Sequence, residues 1–265
     1  TMKDLSDAYR LRNRVIECME MADVTRFSEI KQRALTFVVA GGGFSGVETI
    51  GELAEMIERI LPQYPNIARH EVRMVLIQRD RRVLPEMPER LSQYALKQLE
   101  KHGVDVWLNT GIESATQHAV YTSDGRSLPT RTIVTTIGNG PSEFVKSLPL
   151  ELQRGRIPVS PELEVVGLSN VWSIGDAAQV PLTTGASDPA YAPPTAQFAA
   201  HQAGILAQNI VNRVRGQRLH SFNYRAFGIM ASLGGYRGVA EIFGILVTVL
   251  PAWLIWRAAY IGMLP

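Results

Sequence analysis

Apolar side chains recur at Leu5, Ala8, Leu11, Val15, Cys18, Met19 and Ala22 with charges between them, the spacing of a helix with one buried face. The rhythm changes at Leu35, where LTFVVA is apolar throughout and reads as a buried strand. Val47, Ile50, Ala54, Ile57 and Leu61 then return to one helical face, which stops at Pro62. VRMVLI (72–77) is the next buried strand, and PERLSQYALKQLEKHG opens on Pro88 and closes on Gly103, the punctuation of a helix. VDVWL reads as a strand, AVYTSDGRSL as a hairpin around an Asp-Gly turn, and RTIVTTIG as a further apolar strand. Strands and helices alternating in this way predict a doubly wound α/β domain over about 34–148.

Beyond that domain the pattern is less regular. GRIPVSPELEVV predicts a β-ribbon, NVWSIG a buried strand, and VPLTTGASDPAYAPP a loop long enough to suggest a functional role. A helix is expected from Thr195 to about Arg215, then a strand in SFNYRAFGIM, then one or two apolar helices. The run from Ile242 to Trp256 is uncharged, but its fifteen residues are too few for a span and Pro251 interrupts it. Trp253, Trp256 and Tyr260 are the amphipathic aromatics found at headgroup level, so a helix lying in a membrane interface is expected. A buried core helix is the alternative.

The chemistry starts in VVAGGGFSGVE. Gly41, Gly43 and Gly46 satisfy G-x-G-x-x-G directly between a strand and a helix, the context that dinucleotide binding requires. Gly41 permits the tight turn, Gly43 the approach of backbone to a pyrophosphate, and Gly46 close packing of helix on strand. The amides of the first turn, at Phe44, Ser45 and Gly46, then meet the phosphates at the positive end of the helix. An acid ending the second strand would grip the ribose of NAD; here Gln78 stands there with Arg79 beside it, 32 residues beyond Gly46. A neutral amide beside arginines does not repel a 2′-phosphate, so NADPH is expected to be accepted beside NADH, unless Asp80 takes the ribose and the arginines form a solvated turn.

Composition narrows the picture. Hydrophobic content of 46% and charged content of 20% are those of a globular chain. One cysteine, Cys18, excludes an internal disulfide and a redox dithiol, and five scattered histidines give no metal-ligand spacing, so no metal is expected. The net charge of +2 hides a basic end, with arginines at 213, 215, 218, 225, 237 and 257 against the single acid Glu241. A basic, apolar tail suggests an anionic membrane surface and not nucleic acid. The polar start TMKDLSDAYRLRNR is no secretory signal.

With these residues in hand, the chain resembles the type II NADH:quinone oxidoreductases, flavoenzymes with two dinucleotide-binding folds. LSDAYRLRNRVIECMEMAD is similar to the segment preceding their NADH domain, and GGGFSGVETIGELAE to their NADH loop. NVWSIGDAAQVP is similar to their second flavin motif, PPTAQFAAHQA to the segment at flavin and quinone, and the end of the chain to their membrane-facing C-terminus. The resemblance implies FAD and NADH as cofactors. It places Glu48 near flavin and nicotinamide as a catalytic residue, although a first-turn acid can also simply complement the helix dipole. IGNG (137–140), with Ile137, Gly138 and Asn139, is implied on the nicotinamide side, and Gly175, Asp176 and Ala177 at the ribityl chain. Ala196, Gln197 and Gln202 fit the quinone segment; Gln197 is a second catalytic candidate, and His201 replaces the family's usual glutamine and either tunes quinone or faces outward.

The family's N-terminal FAD fold, with its own glycine loop, has no match in the chain, which is expected to be a fragment of a longer protein. The implied division is a partial FAD domain (1–33 and 149–215), an NAD(P)H domain (34–148) and a membrane-association region (216–265). Expected partners are a membrane quinone and the lipid surface, with a homodimer as candidate assembly, peripheral on the cytoplasmic face of the cell membrane. Two other readings stay open: a soluble NAD(P)H-dependent reductase of a small redox protein, and a non-catalytic NAD(P)-binding module.

Overall fold

The computed structural model describes residues 5–136, 143–182, 190–226 and 228–262. The chain clusters into two compact units, residues 1–137 with 228–265, and residues 138–227. In the first, α1 (Leu5–Val24) and α2 (Ser28–Ala34) lead into β1 (Thr36–Ala40), α3 (Phe44–Ile60), β2 (Arg73–Ile77), α4 (Glu89–Lys101) and β3 (Val104–Trp107). Short strands β4 (Ile112–Ala115), β5 (Ala119–Thr122) and β6 (Ser127–Pro129) precede β7 (Thr132–Thr135).

A parallel sheet runs in the order β3-β2-β1-β7, with every residue of β1 buried. Side-chain alternation sorts its two faces. Phe37, Val39, Met74 and Leu76 enter a core shared with α1, α3 and α4, while Val38, Val75 and Ile77 meet Val120 and Leu128. The second face is therefore covered by the antiparallel β4-β5-β6 sheet, because the chain between β3 and β7 holds only short strands joined by tight turns. This is the expected α/β class. The Asp-Gly turn is present as well, with Gly125 at φ +82° between β5 and β6.

The second unit holds α5 (Glu143–Ser147), β8 (Ile157–Pro158), β9 (Ala178–Gln179), β10 (Pro181–Leu182), β11 (Ala190–Tyr191) and α6 (Ala196–Val214). β8 pairs with β9, and Ile157, Leu163, Ala178, Phe198 and Phe222 build its core. Thr195 caps α6, its hydroxyl accepting from the Phe198 amide at 3.5 Å. NVWSIG departs from the expected buried strand. Only Trp172 makes a bridge, to Glu164, and Val171 is exposed, because the segment pairs along one irregular edge instead of inside a sheet. Most of the long loop, residues 183–189, lies outside the described residues.

The chain then returns to the first unit as β12 (Gly228–Ser232), β13 (Gly238–Ile242), β14 (Ile245–Thr248) and α7 (Val249–Gly262). SFNYRA is not strand: Phe222 packs into the core of the second unit, and the strand begins only at Gly228. The run from Ile242 to Trp256 is likewise not one helix. Its first half is β-hairpin around Phe243 and Gly244, both at positive φ, and Pro251 stands in the first turn of α7, where a missing amide costs nothing. Ala231, Leu233 and Val239 join the main core. Gly51 on α3 makes that contact feasible, since a Cβ there would lie 2.6 Å from the Leu233 backbone. Packing thus groups α1 and residues 228–262 with the parallel sheet, whereas the division expected from sequence followed cofactors; the two divisions answer different questions.

Candidate functional site

The glycine turn sits at the C-terminal end of β1, where ligands of open α/β sheets collect. Gly41 has φ +106°, a backbone state that only glycine adopts freely. A Cβ on Gly46 would lie 1.7 Å from the Gly41 carbonyl oxygen, so glycine alone lets α3 start against the strand. Gly43 is different: it is the N-cap of α3, and a Cβ there would meet nothing within 4 Å. Among the described residues no side chain caps the helix, so the first-turn amides of Phe44, Ser45 and Gly46 lie at the positive end of a 17-residue helix, with Ser45 exposed and Gly46 buried. That is a fitting cradle for a pyrophosphate. Thr136, which sequence reasoning missed, braces it from β7, donating to the carbonyls of Ala40 (2.9 Å) and Gly41 (3.2 Å).

Gln78 ends β2 as expected, but its amide is already engaged. Its Oε1 accepts from the Gly42 amide at 2.9 Å, and its Nε2 donates to Asp80 at 3.0 Å. With 7% exposure it holds the middle of the glycine turn, and Arg79 and Asp80 beside it are exposed. Ile137, Gly138 and Asn139 lie outside the described residues.

Glu48 is the fifth residue of α3, beyond the first turn, so the helix dipole is not its main partner. Its Oε1 accepts from the Ser232 amide at 3.1 Å and from the Trp256 indole at 2.9 Å, groups 184 and 208 residues away. Burial pushes the Glu48 carboxyl above the ordinary carboxylate range; the two donors pull it back, and the charge of Glu52 adds to the rise. Nothing in the local sequence links these three elements.

In the second unit, Gly175, Asp176 and Ala177 form one 3-10 turn after NVWSI. Gly175 takes φ +65°, and Asp176 is exposed with no hydrogen bond among the described residues, so its carboxylate is free to accept one. Gln202 is buried and turned inward: its Oε1 accepts from the Gly175 amide at 2.7 Å, fixing the turn to α6. Ala196 is exposed and Gln197 half-buried in the first turn of α6. His201 is exposed and stacks on Tyr224 at 3.8 Å.

The family model of the pyridine nucleotide-disulphide oxidoreductases matches residues 6–203, and the chain belongs to that family. Within it the chain is similar to the mitochondrial internal alternative NAD(P)H-ubiquinone oxidoreductase A1 of Arabidopsis thaliana, at 30% identity over 98% of this chain and 54% of that protein. The type II NADH:quinone oxidoreductase Ndh of Mycobacterium tuberculosis is 29% identical over 99% of this chain and 58% of its own length. Among solved structures, NDH2 of Plasmodium falciparum in complex with NADH shares the fold, with a TM-score of 0.88 and 18% identity over 99% of this chain and 69% of that one. The resemblance to type II enzymes therefore holds, and the chain spans little more than half the length of the curated relatives it matches. The redox dithiol of the family name has no counterpart within these 265 residues, whose one cysteine, Cys18, is buried.

Proposed function

We propose that the protein to which this chain belongs is a non-proton-pumping NADH:quinone oxidoreductase, with FAD as cofactor and NADPH as a second donor. The observation that carries the reading is the start of α3, which no side chain among the described residues caps and where a Cβ on Gly43 would meet none of their atoms within 4 Å. The names of the relatives supply the quinone as acceptor. Bound FAD would supply the redox chemistry, accepting a hydride and passing on two electrons. The chain's own residues bind and orient. Gly41, Gly43 and Gly46 with the amides of Phe44 and Ser45 hold the pyrophosphate. Arg79 would meet a 2′-phosphate, and Ile137, Gly138 and Asn139 would serve the nicotinamide side. Glu48, held by Ser232 and Trp256, keeps a proton to higher pH than an exposed carboxylate would. Asp176 accepts a ribityl hydroxyl bond, Gln202 fixes the turn that carries it, and Ala196, Gln197 and His201 form the quinone edge.

The C-terminal elements support a peripheral membrane setting. Phe243 (76% exposed), Ile245, Leu254 and Ile261 are large apolar side chains exposed within one C-terminal hairpin and helix, more than single exposed leucines ordinarily amount to. No helix among the described residues is long and apolar enough to cross a membrane. Attachment through α7 at the cytoplasmic face, and a homodimer as the assembly, complete the proposal.

The test is the visible spectrum of the purified chain after incubation with FAD and removal of excess. Bound flavin that bleaches on anaerobic NADH addition is the expected result for a complete site. A second reading is favoured by the coverage of only 54–58% of the relatives: taken alone, this chain is a nucleotide-binding part of the enzyme. A colourless protein that binds NADH would select it, and one that binds neither cofactor would end both.

A further inference from the structure

The first unit carries a groove of about 780 Å³ that no step of the proposed reaction uses. Its floor is the outer face of α3, with Glu52, Glu55 and Arg59, and its walls are the β12–β13 turn at Tyr236 and the stripe of α7 that bears Trp253, Trp256 and Arg257. Most of its charge is already neutralised. Glu55 is paired with Arg59 at 2.8 Å and with Arg237 at 3.6 Å. Two groups are not. Glu52 accepts only the Ser232 hydroxyl, at 3.0 Å, and has no ion pair among the described residues. Arg257 is exposed, lies over the face of Trp253 with its guanidinium carbon 5.4 Å from the ring centre, and has no ion pair among the described residues. Among the described residues, then, one anion and one cation without an ion pair line the same groove.

We infer that this groove binds a zwitterionic phospholipid headgroup with a primary amine, the phosphodiester on Arg257 and the ammonium on Glu52. The inference rests on the membrane setting proposed above and adds a lipid preference to it. Charge complementarity selects the occupant: a guanidinium fork suits a phosphate, and a carboxylate with an unused oxygen suits an N–H donor. A trimethylammonium group offers no N–H and would need an open aromatic face. The rings that line the groove are already engaged: Arg257 lies over Trp253, Tyr236 packs against Trp253 at 4.8 Å, and Trp256 packs against Tyr260 at 5.0 Å while its indole donates to Glu48. The apolar half of a lipid also has a place, since Leu250 and Leu254 are exposed on the same helix one turn apart, next to the stripe that faces the groove. Indole rings at that boundary match the level of headgroups.

Tryptophan emission of the intact chain, titrated with glycerophosphoethanolamine, reads the groove through Trp253 and Trp256. A saturable change is expected, weakened about tenfold in both Glu52→Gln and Arg257→Gln, and about tenfold weaker in wild type with glycerophosphocholine. Arg215→Gln, on the second unit, serves as the unaffected control, and circular dichroism checks the fold of each variant. With vesicles, replacing part of the phosphatidylcholine by phosphatidylethanolamine is expected to raise binding of wild type and of neither groove variant. Equal affinity for both headgroups, or weakening in Arg257→Gln alone, overturns the inference. Vesicle binding indifferent to ethanolamine lipid, with no response to the soluble headgroup, sinks the groove and leaves the membrane reading intact. Headgroup binding without vesicle binding does the reverse.

Discussion

The glycines at 41, 43 and 46 do three different jobs, and substitution separates them. Gly46→Ala drives a methyl into the Gly41 carbonyl, so a loss of about 2–3 kcal/mol in urea unfolding is expected. Gly43→Ala meets no atom of the described residues within 4 Å and should stay within about 1 kcal/mol of wild type, yet its methyl occupies the space offered to the pyrophosphate. NADH affinity, followed by fluorescence titration, should fall about tenfold or more; unchanged affinity would remove the dinucleotide from this turn. Glu48 gives a pH signature. Its folded carboxyl titrates above its unfolded value, so the protonated form is favoured by folding. Its contribution is full below the unfolded value of about 4.5 and is lost as pH rises through the raised folded value. Glu48→Gln keeps an acceptor for Ser232 and Trp256 and has no charge to bury. Its melting temperature should therefore equal or exceed wild type at pH 7, and fall less steeply with pH above 4.5.

At the scale of elements, α6 is tied to the Gly-Asp turn by one side chain. Gln202→Leu leaves the Gly175 amide without its acceptor, a cost of about 1–3 kcal/mol, whereas Gln202→Glu retains an acceptor oxygen. Thermal melts should rank wild type first, the glutamate variant next and the leucine variant last, with FAD retention in the same order if the turn serves the flavin. The α6 helix itself was legible, because Thr195 and Gly216 punctuate it and its apolar positions keep a helical period. The apolar run after Ile242 was not. A strand and a helix made of the same isoleucines, leucines and valines differ only in period, and too few polar residues interrupt this run to show one. Pairing with β13 decided the first half as strand, register by register.

At the scale of the whole molecule, the exposed face of α7 and its hairpin is the feature that most needs a partner. Leu254→Glu with Ile261→Glu touches no buried residue, so the melting temperature should hold while binding to anionic vesicles drops about tenfold in sedimentation. Binding that survives both substitutions would place the membrane contact elsewhere. The sequence by itself determined the strands and helices of the parallel-sheet domain, the helix α6, the α/β class and the glycine turn, because hydrophobic period, Pro and Gly punctuation and backbone sterics are local and act within a few residues. The tertiary structure alone decided which side chains meet. It turned Gln78 and Gln202 inward onto backbone amides, hung Glu48 between Ser232 and Trp256, and folded β12, β13 and β14 into the first unit's core. Those contacts join residues up to 208 positions apart. Burial and hydrogen-bond satisfaction select them only once the chain has closed, and no spacing along the sequence encodes them.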